Sequence, residues 1–363
     1  MQISGNLKNF LMTTAVGLVV TALVGIILWG FFVPASFFSK TALLNDDQAL
    51  LKKSLGVKAY DKLEVFEFLD KAAPSIAVIY RKKAPAAQVA DSLYLEKDRL
   101  GYGFVLTADG WVVANKNAIG GLTSKSLAIG IKNFVYNVSS VVYDTWTDAA
   151  FLKLNAENLP VVSLGDSGAL KLGDIVFSGS NKNNFWFSHI SAINIYPDWR
   201  SKGDAIISSE NFGKIIQTQN SLPSKLNGGM IVNKSGEVAG LIMADNNYIL
   251  PVNYFKNVIS DLLKNKKISR PYFGANYIDL SFGIAGNLPN SKGAYINSAA
   301  VDSPAYKAGL KIGDIVLSID NENINEYKNL SEFVSEYKAG DEITMKVLRA
   351  GGEMEIKAKL GSK

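Results

Sequence analysis

Residues 101–121 read GYGFVLTADGWVVANKNAIGG, two apolar runs on either side of a tight polar turn. The turn contains an Asp-Gly pair, which favours a two-stranded hairpin. Similar short runs rich in Val, Ile, Phe and Tyr recur from about residue 65 to residue 243, bounded by Gly, Asp or Asn. Many short strands joined by tight turns predict a mainly β fold, either a sandwich or a pair of barrels.

The composition is that of a folded chain with room for two domains. Of the 363 residues, 48% are hydrophobic and 20% are charged, and the formal net charge is +5. This small excess, spread along the chain, indicates a mixed solvated surface, and no nucleic-acid partner is expected. The absence of cysteine excludes disulfides, cysteine metal sites and thiol catalysis, but it leaves the compartment open.

His189 is the only histidine in the sequence. A mechanism that depends on imidazole must therefore use this residue. The sequence has no histidine cluster, no cysteine and no glycine-rich phosphate loop, so we expect neither a metal nor a nucleotide cofactor.

A membrane anchor is predicted near the beginning of the sequence. Residues 10–33 are uncharged and apolar, and as a helix they would be about 36 Å long, enough to cross a hydrocarbon core of about 30 Å. This run is longer than the apolar region of a signal peptide, and Pro34 ends it. We expect a short head over 1–9, an uncleaved single-pass anchor over 10–34 in the lipid bilayer, and the rest of the chain outside the cytoplasm.

Residues 35–64 mix polar and apolar side chains and are expected to form a stalk. Beyond the strand-rich region, apolar residues at helical spacing predict one helix over 252–265. The basic, proline-containing stretch KKISRPYFG follows and is predicted to be a short interdomain linker. The predicted organisation places a first soluble domain at 65–266 and a second at 270–361.

The stretch at 101–121 resembles the HtrA family of trypsin-like serine proteases. That family has a Gly-x-Gly-Phe strand and an Asp-Gly turn before its catalytic histidine, and Asn117 stands at the histidine position here. A second block, TDAAFLKL, places Asp148 at the acid position, and a third, KLNGGM, places Asn227 at the serine position. The three blocks, in this order, imply a two-barrel domain of the chymotrypsin fold over 65–266.

The resemblance implies a degenerate catalytic triad. Cleavage by this mechanism needs a nucleophilic oxygen, an imidazole, an orienting carboxylate and backbone donors for the oxyanion. The carboxamide of Asn227 is not a nucleophile, and that of Asn117 does not titrate near neutral pH. Lys225 replaces a glycine of the oxyanion loop, where a β-carbon disfavours the required backbone conformation. We expect a pseudoprotease in which the Asn117 amide donates a hydrogen bond to Asp148.

Three alternatives stay open at this point. His189 could serve as the base, although it is far in sequence from the triad positions. Ser224 with Lys116 could form a Ser–Lys dyad, which would make the chain an active endopeptidase with non-standard residues. The chain could also be a stalked structural scaffold that binds nothing.

Residues 270–361 resemble a bacterial PDZ domain, and SPAYKAGLKIGDIVLSIDNENI at 303–324 is the most specific part. Ser303 and Pro304 are expected to open a short helix that Gly309 ends in a left-handed conformation. A strand, a second helix over 326–337 and two further strands should follow.

The PDZ resemblance implies a peptide-binding groove. A peptide adds as a strand to an open sheet edge, and exposed N–H groups capture its terminal carboxylate. Tyr272, Phe273, Gly274 and Ala275 match the family's carboxylate-binding loop, and 275–277 would pair with the peptide. The pocket for its last side chain would be lined by Leu330, Phe333 and Val334, which could equally fill the core.

Unfolded or C-terminal peptides are the partners that follow from these resemblances. Active relatives often form trimers and degrade misfolded proteins. The predicted role is therefore in extracytoplasmic protein quality control, as a homotrimer or co-assembled with active relatives.

Overall fold

The computed structural model describes residues 70–84, 88–181, 184–196, 206–243, 247–282 and 292–362, all within the compact unit Leu63–Lys363. The predicted head, anchor and stalk lie outside these residues. None of the helices in the described ranges has the length and apolar character that a membrane crossing requires.

Six antiparallel strands form the first barrel: β1 (Ile76–Arg81), β2 (Arg99–Val105), β3 (Trp111–Asn115), β4 (Leu127–Ile131), β5 (Phe134–Tyr143) and β6 (Ala149–Leu154). They close in the order β1-β2-β3-β6-β5-β4. Strand β3 is buried on both faces because its side chains alternate between two cores. Val112 and Ala114 pack inside this barrel, whereas Trp111 and Val113 pack into the core that continues into the second barrel.

The second barrel closes in the order β10-β13-β12-β11-β7-β8. Its strands are β7 (Ile175–Asn181), β8 (Asn184–Ile195), β10 (Ile215–Thr218), β11 (Met230–Val232), β12 (Val238–Ile242) and β13 (Tyr248–Pro251). Between β8 and β10, the short strand β9 (Ile206–Ser208) leaves this barrel and pairs elsewhere. The prediction of a two-barrel, trypsin-like fold is confirmed.

Two short helices interrupt the first barrel, α1 (Val89–Ser92) and α2 (Lys116–Ile119). The prediction of one helix over 252–265 is wrong in detail, because two helices are present, α3 (Asn253–Lys256) and α4 (Ile259–Asn265). The break falls at Asn257 and Val258, and the ψ angle of Val258 is −9° instead of the α-helical value of about −42°. Asparagine and β-branched valine are poor helix formers, which makes this position the weakest in the run.

The last part of the described chain is the predicted PDZ domain. Its strands are β14 (Pro271–Tyr272), β15 (Ala275–Asp279), β16 (Ala294–Ala299), β17 (Ile315–Ile319), β18 (Glu322–Asn323), β19 (Glu342–Arg349), β20 (Gly352–Lys359) and β21 (Gly361–Ser362). The main sheet has the order β20-β19-β17-β16-β15-β9, with β18 on β17, and β14 pairs with β21. The outermost strand, β9, comes from between the strands of the second barrel.

Helix α5 (Pro304–Lys307) begins as predicted, since the Ser303 hydroxyl accepts a hydrogen bond from the Tyr306 N–H. Gly309 follows with φ +83°, the expected left-handed conformation. The second helix, α6 (Leu330–Ser335), starts later than the predicted residue 326. Asn329 caps it reciprocally with Glu332, and this capping box fixes the helix start.

Candidate functional site

The first two triad positions lie side by side at the end of β3. The Asn115 side chain accepts the N–H of Asn117 at 2.7 Å and so starts α2. The N–H of Lys116 donates to the carbonyl of Asp148, also at 2.7 Å. Asn117 is exposed, and Asp148 is half-buried at the edge of a cavity of about 490 Å³.

The expected hydrogen bond between Asn117 and Asp148 is not formed. Both residues are described, and no hydrogen bond joins their side chains. The reason is local: α2 turns Asn117 towards solvent, and only the backbone of its neighbour Lys116 reaches Asp148. The carboxylate is half-exposed, so water can satisfy it without the amide.

The third position, Asn227, joins the other two across the junction of the barrels. Its carbonyl accepts the Tyr102 N–H at 2.9 Å, and Gly228 packs directly against β2 and α2. Gly228 has φ +79°, and a β-carbon there would lie 2.4 Å from the Tyr102 carbonyl oxygen. Only glycine fits at this close approach, which holds the loop beside Ala118. The loop of Asn227 therefore lies beside α2, the helix that contains Asn117, whereas Asn227 and Asp148 line different cavities.

The loop that was expected to supply the oxyanion donors forms a 3₁₀ turn over Ser224–Leu226. The N–H of Asn227 donates to the Ser224 carbonyl at 3.1 Å, and the N–H of Leu226 donates to Pro223 at 2.8 Å. The amide that would stabilise an oxyanion at the nucleophile position is thus already used inside the turn. Lys225 is exposed, and its ammonium lies 4.9 Å from the centre of the Trp186 ring.

A small cavity of about 130 Å³ adjoins the same loop. Its lining includes Asn227 and Asn247, and the side-chain oxygen of each is buried with no hydrogen-bond partner among the described residues. Both oxygens can only accept hydrogen bonds, so the cavity can receive a donor group or water. Neither amide supplies a proton acceptor that titrates near neutral pH.

The alternative catalytic groups are not assembled. His189 lies on β8 opposite Ile175, on a strand of the second barrel, and it lines neither the cavity beside Asp148 nor the one beside Asn227. Ser224 borders only the smaller of these two cavities, whereas Lys116 borders the larger. Of the described residues, no hydroxyl receives a hydrogen bond from the His189 ring or the Lys116 ammonium.

The predicted carboxylate-binding loop presents its backbone N–H groups at the start of β15. Gly274 has φ +81°, and a β-carbon there would lie 2.3 Å from the Ser303 side chain, so this position requires glycine. The N–H groups of Phe273 and Gly274 both donate to one carboxylate oxygen of Glu210, at 3.0 and 2.9 Å. The Ala275 N–H donates to the Ser209 hydroxyl at 3.0 Å.

The edge of β15 that was expected to take a peptide is paired with β9 in antiparallel register. Asn276 lies opposite Ser208, Tyr277 opposite Ile207, and Ile278 opposite Ile206. The three predicted pocket residues on α6 are fully buried and belong to the hydrophobic core: Leu330, Phe333 and Val334. Tyr272 is half-buried at the end of β14.

The segment after β9 is tied to the PDZ domain by charged residues that the sequence analysis did not identify. The Lys214 ammonium is buried, donates to the Glu326 carbonyl at 2.8 Å and lies 3.4 Å from the Glu332 carboxylate. The Tyr254 hydroxyl donates to the same carboxylate at 2.6 Å, and burial raises the pKa of Tyr254 well above its usual value. Burial likewise raises the pKa of Tyr196, which donates to Asp279 at 2.9 Å. Both tyrosines therefore remain neutral donors.

Arg270 is a second unpredicted link and joins the PDZ domain to the first barrel. It is 2% exposed and binds Asp144 through Nε and Nη2 at 3.0 and 2.5 Å. The guanidinium also lies 5.3 Å from the ring centres of Trp146 and Phe212. Asp144 belongs to the loop that leads to Asp148. In the sequence, Arg270 is one of several basic residues in the linker. Its burial distinguishes it from the others, and burial cannot be read from the sequence.

Comparisons with known proteins match both halves of the chain. The family model described as trypsin-like peptidase domain matches residues 101–241, and the PDZ domain model matches residues 276–360. The chain is 25% identical over 297 residues to serine endoprotease DegS of Haemophilus influenzae, covering 78% of this chain and 84% of that protein. It is 30% identical over 287 residues to a DegP-like periplasmic serine endoprotease of Marinomonas sp., covering 76% of this chain but 60% of that protein.

Solved structures show the same fold. The HtrA-type protease AlgW with a decapeptide superposes with a TM-score of 0.60 at 20% identity, covering 82% of this chain and 98% of that chain. The same protease with a tripeptide gives 0.61 at 21% identity, covering 83% and 97%.

Proposed function

Because the chain is an HtrA-like serine protease homologue, with a trypsin-like peptidase domain followed by a PDZ domain, we propose that it binds polypeptides without cleaving them. One observation carries the proposal. Two carboxamides, Asn117 and Asn227, stand at the positions where this mechanism needs proton transfer and nucleophilic attack.

The geometry around these residues supports the proposal. Asp148 has no imidazole to orient, and the Asn227 N–H donates within its own turn rather than towards a substrate oxygen. In proteases of this mechanism, loss of the serine or the base alone removes about six orders of magnitude in rate. With both replaced, the cleft can hold a polypeptide but has no group to start acyl transfer.

The PDZ domain supplies the binding function in this proposal. Its loop offers the N–H groups of Phe273, Gly274 and Ala275, an arrangement that suits a carboxylate. The open-edge mode of PDZ domains recognises extended peptides through main-chain hydrogen bonds. We propose unfolded or C-terminal peptides as the ligands. Leu330, Phe333 and Val334, deep beneath this edge, support the groove as part of the core.

The proposed location is outside the cytoplasm, with residues 10–33 as a single-pass anchor in the cell membrane. The apolar sequence of that segment and the periplasmic assignment of the DegP-like relative support it. A regulator, adaptor or holdase role in protein quality control fits a binding protein that does not cut. It could act as a homotrimer or together with active relatives.

The test is to incubate the detergent-solubilised full chain with unfolded casein and to measure casein fragments. We expect no cleavage above that of an Asn117→Ala/Asn227→Ala control, and binding of peptides with a free C-terminus over their C-terminal amides. Inhibitor-sensitive casein cleavage by the unchanged chain above the level of this control would overturn the non-cleaving assignment.

A working endopeptidase is the second candidate, favoured by the endoprotease assignment of DegS and the DegP-like relative. It would need a different nucleophile, and Ser224 with Lys116 is the pair available near the site. Cleavage that is lost on Ser224→Ala or Lys116→Ala would support this candidate over the first.

A further inference from the structure

The PDZ groove already contains a strand of this chain. β9 lies antiparallel to β15, so its C-terminal end points to the start of β15, where the carboxylate-binding loop lies. A C-terminal peptide that adds to this edge must have the same direction, with its last residue at the loop. Segment 206–210 therefore occupies the position and orientation of a bound peptide.

The end of this segment reproduces the chemistry of a peptide terminus. Glu210 Oε1 accepts the N–H groups of Phe273 and Gly274, and the Ser209 hydroxyl accepts the N–H of Ala275. In return, the Ser209 N–H donates to the Ala275 carbonyl at 2.8 Å, as the last residue of an added strand would. A side-chain carboxylate and a hydroxyl thus take the three donors that a terminal carboxylate would need.

Helix α6 closes the other side of the segment. The Ser331 hydroxyl donates to the Ser208 carbonyl at 3.0 Å and is itself within 2.9 Å of the Tyr277 hydroxyl. Ile207 is 7% exposed, whereas Ile206, on the opposite face, is 42% exposed. The segment is thus bound on both sides, with one apolar side chain buried in the groove.

We propose that segment 206–210 is a built-in ligand that closes the PDZ groove, and that an external peptide binds only by displacing it. This inference rests on the proposed peptide-binding function and adds its regulation. If Ser209 takes the place of a last residue, Ile207 is the residue two positions before it. The groove should therefore prefer peptides with an apolar residue two positions before the C-terminus.

Closure lowers the apparent affinity for external peptides. A ligand that binds only the open state has an apparent Kd equal to the intrinsic Kd divided by the open fraction. Loss of a hydrogen bond to a charged group is worth about 1.5–3 kcal/mol, which corresponds to roughly 10-fold to 100-fold in that fraction. Glu210 accepts two such bonds. Weakening them should raise the affinity for external peptides, although no residue of the PDZ domain is changed.

The test uses the full chain and a peptide of its own sequence. The probe is fluorescein-labelled KGDAIISS, residues 202–209, which ends in a free carboxylate at Ser209. The same peptide with a C-terminal amide is the probe control. Glu210→Gln should bind the free-acid probe roughly 10-fold or more tightly than the unchanged chain, measured by fluorescence anisotropy. Glu353→Gln, on the exposed strand β20, is the matched control and should bind as the unchanged chain does.

A second variant tests closure directly. Ser208 and Asn276 are cross-strand partners, and the chain has no cysteine, so Ser208→Cys/Asn276→Cys can lock β9 in place by one disulfide. The oxidised form should bind the probe at least roughly 10-fold more weakly than the same protein after reduction. Circular dichroism checks that both variants are folded.

The outcomes separate the two proposals. Equal probe affinity in the unchanged chain, Glu210→Gln and both redox forms would overturn the built-in ligand but leave peptide binding intact. No binding of the free-acid probe by any form, including the reduced variant, would overturn the proposed peptide binding and the closure with it.

Discussion

At the scale of single residues, the proposed loss of cleavage involves a backbone N–H donor as well as the side chains at the triad positions. The Asn227 N–H is held by the Ser224 carbonyl, and Lys225 lies within the same 3₁₀ turn. Restoring the side chains of the triad does not by itself release this amide. In the proposed non-cleaving site, the backbone of this loop is therefore a second feature that mutagenesis can test separately.

We predict that Asn117→His/Asn227→Ser gives little proteolysis unless Lys225→Gly is added. Removal of one oxyanion donor costs about 100-fold to 1,000-fold in rate, so the triple variant should exceed the double variant by at least about 100-fold. The measurement is the rate of casein hydrolysis by the full chain. A double variant as fast as the triple would show that Lys225 leaves the oxyanion site usable.

Asp166 provides a test of pH dependence. The hydrogen bond from the Asn253 side chain, at 2.7 Å, and that from the Gly168 N–H lower the pKa of Asp166. Its ionised form therefore stabilises the fold above the unfolded pKa of about 3.9, and this stabilisation is lost as the pH falls through the lower folded value.

Asp166→Asn should accordingly lower the free energy of unfolding at pH 7, by no more than about 1 kcal/mol because the residue is exposed. The difference from the unchanged chain should shrink as the pH falls below about 4. Urea unfolding at pH 7, 4 and 3 measures it. A difference that stays the same over this range would contradict the assigned sign.

The sequence predicted which residues meet at the site but not how their side chains are arranged. Asn117 lies just after β3, Asp148 directly precedes its partner strand β6, and Asn227 lies just before β11 of the second barrel. The place of these strands in the barrels is set by their pattern of apolar residues. Whether the Asn117 amide reaches Asp148 depends on the direction of one helical turn, which the Asn115 cap fixes. Such a cap is worth only about 0.5–2 kcal/mol and leaves no periodic signal in the sequence.

At the scale of elements, most strands and the ends of α5 follow from turn and capping signals, whereas the break between α3 and α4 and the start of α6 do not. The hairpin β19–β20, whose two strands were predicted, closes through a two-residue turn with φ +50° at Ala350 and +82° at Gly351. β9 escaped prediction because a three-residue strand has too few residues to show alternation. In addition, its partner is distant in sequence: β9 ends at Ser208 and β15 begins at Ala275, 67 positions later.

The same turn gives a prediction about stability. Ala350 is held in the left-handed region, where a β-carbon costs about 1–2 kcal/mol that glycine does not incur. Ala350→Gly should raise the free energy of unfolding by about 0.5–1 kcal/mol, after the greater freedom of glycine in the unfolded chain is subtracted. Urea unfolding of the full chain measures this.

Ala350→Val is the matched control and should lower stability, because a β-branched residue fits the left-handed region still less well. If glycine destabilised the hairpin, the contribution of strain at this turn would be refuted.

At the scale of the whole molecule, one hydrophobic core continues from the barrels into the PDZ domain, beside a separate core inside the first barrel. Buried charges add further links. The continuous core includes Ile231 of the second barrel and Phe333 of α6. Phe212, after β9, stacks on Tyr254 with ring centres 4.1 Å apart. Phe212 follows segment 206–210 by two residues, so displacement of the segment would disturb the packing of Phe212 on Tyr254 and Arg270.

The pair Arg270–Asp144 is the strongest candidate for coupling the PDZ domain to the loop of Asp148. Both side chains are buried, so removing either charge leaves the other uncompensated, which costs about 3–5 kcal/mol. We predict that Arg270→Met and Asp144→Asn each lower the free energy of unfolding of the full chain by about this amount. The double variant should cost much less than the sum of the two, because it removes both charges.

Tryptophan fluorescence during urea unfolding measures the cycle, since Trp146 lies beside the guanidinium. Lys346 and Glu353 form an exposed pair, each about half-exposed, and the same cycle there should give a coupling below about 1 kcal/mol. If the coupling at Arg270–Asp144 were as small as at this surface pair, the ion pair would not contribute to holding the PDZ domain against the first barrel. A charged link from α6 to the cavity beside Asp148 would then be left to Lys214, whose ammonium lies 3.4 Å from the Glu332 carboxylate.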